Sequence, residues 1–149
     1  MNAGGIGRDD YFAYIMNKGD HGKAWYTDPS AMPTAGWGLS LSAYEMAQIG
    51  RMVLHGGIYN GNRIVSEKWI SEMTKPRVSL GGEFGNQSYG YLWWLPHRTE
   101  DVIAAIGDGG NVIYISRKEN IVIAGTGYFK PRVFDRIEFI ERNVLAAML

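Results

Sequence analysis

Ala104–Tyr128 reads AAIGDGGNVIYISRKENIVIAGTGY. Two runs rich in β-branched residues, Asn111–Ser116 and Asn120–Gly127, are joined by the charged turn Arg117–Asn120. A glycine cluster holding one aspartate leads into the first run. Runs of this length and composition, bounded by turn residues, predict strands. Both are apolar on successive residues, as strands buried on two faces require. The pair therefore predicts a central antiparallel hairpin. The glycines at its mouth let another group approach the backbone closely.

Outward from this hairpin, YGYLWWLP (Tyr89–Pro96) and DVIAAIG (Asp101–Gly107) have the same strand-like composition. Upstream the period is helical. Ser42 and Glu45 have capping-box spacing, and Met46, Ile49, Gly50, Val53 and Leu54 fall on one face of the helix that follows. Gly56-Gly57 supplies its stop. Asn60-Gly61 between apolar flanks predicts a tight turn. Ser66 caps a second short helix that ends before Pro76. Arg77–Ser88 reads as a glycine-rich loop.

Residues 1–35 are mostly loop with one short helix over Asp9–Lys18, and Asp28-Pro29 and Met32-Pro33 break any longer helix. Downstream, Phe134, Ile137, Ile140, Val144, Leu145 and Met148 make a helical stripe. The expected order is thus loop over 1–35, helices over 36–76, antiparallel strands over 89–128 and a helix over 132–149. That is an α+β class, an antiparallel sheet of three to four strands packed by helices, within 1–149 as a single partial domain. Met46, Ile49, Val53, Trp69, Val112, Tyr114, Val122, Ala124, Ile137, Ile140 and Val144 are the expected core.

The bulk numbers narrow the function. The 149 residues are 46% hydrophobic and 20% charged, which is globular composition. A chain of this length buries about two-thirds of its unfolded surface. The 15 basic and 15 acidic residues cancel, so nucleic acid is not an expected partner. There is no cysteine, hence no disulfide framework and no thiolate chemistry. No apolar run reaches the length of a membrane span. Met1–Gly19 does not have the layout of a signal peptide.

Candidate chemistry is sparse. His21, His55 and His97 lie far apart with no metal-ligand spacing, so no metal is expected. Gly107–Asn111 lacks the Lys-Ser/Thr ending of a phosphate loop and opens a strand, so no nucleotide and no other cofactor is expected. Glu138 and Glu141 read as the solvated face of the last helix. There is no Gly-x-Ser-x-Gly elbow, and no serine has a lysine three residues later.

The stretch WYTDPSAMPTAGWGLSLSAYEMAQIGRMVLHGGIYNGNRIVSEKWISEMTKP (Trp25–Pro76), followed by YGYLWW (Tyr89–Trp94) and IGDGGNVIYISRKENIVIAGTGY (Ile106–Tyr128), resembles the β-lactamase-related serine hydrolases. This family takes in class C β-lactamases, DD-peptidases, esterases and 6-aminohexanoate-dimer hydrolases. The resemblance runs in family order from about Asp10 to the end. It implies the C-terminal portion of the β-lactamase/transpeptidase-like fold. It also implies that Asp108, Gly109, Gly110 and Asn111 form one wall of a substrate cleft, at a place where the family carries a Lys-Thr-Gly-like or His-x-Gly-like corner. Asp108 replaces the usual cation there.

The family's reaction is acyl transfer through a Ser-x-x-Lys serine and a Tyr-x-Asn tyrosine. Neither motif occurs in the chain, so no catalytic residue is assigned. The expectation is a C-terminal fragment that is inactive alone. Two alternatives are a half-enzyme completed by a separate N-terminal half, and a noncatalytic module that binds peptide or glycan through Trp37, Tyr89, Trp93, Trp94 and Asp108. The resemblance also leaves the outer edge of Ile121–Gly127 without its neighbouring strand, which predicts a homo-oligomer through that edge.

Overall fold

The computed structural model describes residues 25, 27–33, 38–81, 85–97, 99–107, 110–127 and 136–149. The expected helix over Asp9–Lys18 lies outside them. The loop around Asp28-Pro29 is held as the sequence suggests. The Asp28 carboxylate accepts hydrogen bonds from the Ser30 and Met32 amides at 2.8 and 2.9 Å.

Helix α1 (Ala43–Leu54) begins at the expected cap. Ser42 Oγ accepts from the Glu45 amide, and the Glu45 carboxylate accepts from the Ser42 amide at 2.7 Å, so both halves of the capping box are made. Strands β1 (Ile58–Tyr59) and β2 (Asn62–Arg63) follow, joined across Asn60-Gly61, both at positive φ. That is the two-residue hairpin turn that Asn-Gly favours. Helix α2 (Glu67–Met73) is capped by Ser66, whose hydroxyl accepts from the Trp69 amide.

The main sheet is antiparallel with six strands in chain order: β3 (Val78–Ser79), β4 (Ser88–Tyr89), β5 (Trp94–Leu95), β6 (Val102–Ile106), β7 (Val112–Ser116) and β8 (Ile121–Gly125). The α+β class and the helix-packed antiparallel sheet are as expected, and β6–β8 are the long strands read from the sequence. The count rises from three to four strands to six for two reasons. Tyr89–Pro96 is not one strand, because the chain turns at Tyr91-Leu92. There the Gly90 amide donates to Trp93 O at 2.8 Å and Leu92 takes φ +64°. The stretch read as loop, Arg77–Ser88, contributes Val78–Ser79 to the sheet edge. Two-residue strands carry no period that a sequence pattern can reveal.

Alternation along β6–β8 splits the core into two layers. Ile103, Ile113 and Ile115 face α1 and α2, where Met46, Val53 and Ile70 meet them with Val122 and Ala124. Ala104, Val112 and Tyr114 face the opposite way, against Ile137 and Ile140 of the C-terminal helix. That helix runs as α3 (Arg136–Phe139), a π-helical stretch (Ile140–Leu145) and α4 (Ala146–Met148). Every residue of β7 is buried, as its position between β6 and β8 demands, and every residue of β8 is half-buried.

Of the expected core, Met46, Val53, Val112, Tyr114, Ile137 and Ile140 are buried. Ile49, Val122, Ala124 and Val144 are half-buried. Trp69 is a correction. It is 44% exposed on the outer side of the short helix α2 and stacks on Tyr91 at 5.9 Å between ring centroids. A seven-residue helix buries a narrow stripe, and Ile70 fills it.

Candidate functional site

The corner between β6 and β7 is a five-residue connection closed by a hydrogen bond from the Gly107 amide to Asn111 O at 3.0 Å. Gly110 is buried at φ +116°, a conformation only glycine adopts without strain. Asn111 is exposed. Asp108 and Gly109 lie outside the described residues. Of the four residues assigned to a cleft wall, the structure thus places Gly110 and Asn111 on one tight corner at the end of the central hairpin.

Register adds a neighbour that the sequence did not reveal. Val112 pairs with Gly125, so Gly125-Thr126-Gly127 leaves the sheet at the same end as the corner. Thr126 is exposed there. Fourteen or more residues separate Thr126 from the corner along the chain, and only antiparallel pairing brings them to one end. Among the described residues this sheet end carries glycines with one hydroxyl, from Thr126, and one carboxamide, from Asn111.

The strongest polar constellation lies elsewhere. Glu141 Oε1 is 2.7 Å from His97 Nε2 and accepts from the Tyr114 hydroxyl at 3.3 Å. These residues come from the C-terminal helix, the loop after β5 and the middle of β7. Burial pushes the Tyr114 phenol well above the usual tyrosine range, and the Glu141 charge pushes it further. A tyrosine acting as a base needs the opposite shift. The set therefore holds a neutral phenol and ties the helix to the sheet. Glu138, by contrast, sits on the outer face as expected and pairs with Arg142 at 2.9 Å. Glu141 follows buried Ile137 by four residues and so borders the buried stripe, a neighbourhood that its acidic type concealed.

A second knot joins α2 to the turn after β7. Arg117 donates to Thr74 Oγ1 at 2.8 Å and to Glu100 O at 2.9 Å, and Thr74 donates to Ile70 O at 2.9 Å. Burial lowers the Arg117 pKa, while Glu100 and Asp101 oppose that shift. The hydrogen bonds satisfy the guanidinium as structure requires.

The aromatic residues expected to bind peptide or glycan are placed in part, with Tyr89 and Trp94 half-buried and Asp108 outside the described residues. Trp93 is buried, Tyr89 and Trp94 pack edge to face with centroids 5.0 Å apart, and Trp37 lies outside the described residues. Among the described residues no three histidine, aspartate or glutamate side chains group as a metal site. Among them, too, no helix is long and apolar enough to cross a membrane.

No protein-family profile matches the chain. It is 28% identical over 103 aligned residues to the 6-aminohexanoate-dimer hydrolase of Paenarthrobacter ureafaciens, an alignment covering 64% of this chain and 26% of that protein. Among solved structures it is similar to a putative 6-aminohexanoate-dimer hydrolase from Bacillus anthracis, with TM-score 0.60 and 25% identity. That match covers 83% of this chain and 32% of the other. The chain spans about a quarter of the first relative and about a third of the second. Sequence and fold point to relatives of the same description, and together they support kinship of the chain with the β-lactamase-related serine hydrolases.

Proposed function

We propose that this chain supplies the C-terminal wall and scaffold of an acyl-transferring serine hydrolase and has no hydrolase activity by itself. In the reaction the family name implies, a serine oxygen bonds to an amide or ester carbonyl carbon. The amine or alcohol leaves, and water then releases the acid. The two relatives are called 6-aminohexanoate-dimer hydrolases, so a linear amide is the substrate class this reading favours. Asp108–Asn111 and the adjoining Gly125–Gly127 end would line the cleft, where small residues let an extended acyl chain lie along the backbone.

The observation that carries the reading is a match to only 26% and 32% of the relatives by a sequence in which no serine precedes a lysine by three. A hydroxyl without an adjacent base is a weak nucleophile. Tyr114, the tyrosine held deepest in the sheet, is kept neutral and cannot serve as that base.

The test is to incubate the folded chain with a fluorescent penicillin and with a fluorophosphonate, then weigh it by mass spectrometry. No adduct is expected on a sample that still melts cooperatively. Stoichiometric labelling of any serine would overturn the proposal.

A further inference from the structure

Among the described residues β8 is the last strand of the sheet. Its register fixes where its backbone groups point. Across β6 and β7, Arg117 donates to Asp101 O and Gly107 donates to Asn111 O. Hydrogen-bonded pairs alternate along an antiparallel ladder, so Ile113 and Ile115 turn their N–H and C=O toward β6. Val112, Tyr114 and Ser116 therefore turn theirs toward β8, opposite Gly125, Ile123 and Ile121. The two residues left over, Val122 and Ala124, aim their N–H and C=O in the plane of the sheet, away from β7.

Proteins usually blunt such an edge with a charge, a proline or a bulge. Ile121–Gly127 has no charged residue and no proline, and its five strand residues pair with β7 without a bulge. The strand is also held in place from one face, because Gly50 of α1 lies directly over Val122 and Ile113.

We propose that this edge pairs with the same edge of a second copy of the chain, antiparallel, about a twofold axis through Ile123. Val122 of one copy then exchanges two hydrogen bonds with Ala124 of the other, and the reverse. Side-chain sizes match in that register: Ile121 lies opposite Gly125, Val122 opposite Ala124, and the axis falls on a single isoleucine. Glu119 comes opposite Gly127 and Asn120 opposite Thr126, so no charge faces a like charge along the described strand. The formal net charge of zero offers no long-range repulsion. The interface is isologous and closes at two copies, as a twofold requires.

The test uses the full chain at several concentrations, by size exclusion with light scattering and by amide hydrogen exchange resolved per residue. Ile121, Ile123 and Gly125 amides are protected by β7 in any case. The expected result is a doubled mass at high concentration, with Val122 and Ala124 amides slowed by about tenfold or more relative to the diluted monomer. Ala124→Pro removes one outward donor and leaves the β7 ladder intact, so it should remain monomeric at every concentration.

A dimer whose Val122 and Ala124 amides exchange freely would place the interface elsewhere and overturn the proposal. A monomer at all concentrations would overturn it too. In that case protected amides at these positions would mean another segment of the same chain, such as one within residues 1–24, occupies the edge. Should Ala124→Pro fail to fold, the exchange pattern of the unaltered chain still decides.

Discussion

Gly50 tests whether α1 truly lies against β7 and β8. An alanine in mid-helix is ordinarily favoured over glycine by about 1 kcal/mol. Here an alanine Cβ would stand 2.5 Å from Val122 Cγ1 and 2.9 Å from Ile113 Cγ2. Carbon atoms pack best at about 3.5–4.0 Å. Both neighbours are β-branched and stiff at χ1, so neither swings aside easily. The helix must then lift from the sheet or the strands must yield, and overpacking of this kind costs about 1–3 kcal/mol. We expect Gly50→Ala to lose up to about 2 kcal/mol net, read by urea unfolding, with Tm lower by up to roughly 8 °C. Val122→Ala removes the nearer methyl and should cost about 1–2 kcal/mol alone. The double variant should be more stable than the sum of the two losses by about 0.5–2 kcal/mol, since the second change relieves the first. If Gly50→Ala stabilises the chain, or if the two changes simply add, α1 does not pack as described.

Ser42→Ala should destabilise by about 1 kcal/mol in denaturant titration, because it removes the hydroxyl that accepts from the Glu45 amide; an unchanged midpoint would refute the cap. Tyr114 makes stability fall in alkali. Its folded pKa lies above the unfolded value of about 10, so its contribution is complete below pH 10 and is lost as pH rises from there toward the folded pKa. Tyr114→Phe should flatten that alkaline decline, and an identical slope in both proteins would show that the phenol ionises freely.

The long elements were legible because their signals are local. Ser42 and Glu45 sit at the spacing that satisfies helix-end amides, Asn60-Gly61 supplies the positive φ of a tight turn, and the apolar runs Val112–Ile115 and Ile121–Ala124 put apolar side chains on both faces of their strands. Those features fixed α1, the β1–β2 hairpin and the β6–β8 sheet before any contact was known. The Gly107–Asn111 corner was legible for the same reason, since glycine at a strand mouth marks a special backbone.

What the sequence could not convey depends on partners distant along the chain. Two-residue strands such as Val78–Ser79 exist only because a neighbour already presents its hydrogen-bonding edge. Trp69 looked like core by composition, yet the single buried stripe of α2 was taken by Ile70, which left the indole to stack on Tyr91. Thr126 joined the corner through register alone. Glu141 turned from a surface acid into the partner of His97 and Tyr114 because the helix packs its Ile137 and Ile140 side against the sheet. Periodicity and capping are properties of a few adjacent residues, so sequence alone determines them. Pairing, register and the choice of which apolar side chain wins a place in the core are competitions among distant segments, and tertiary structure settles them.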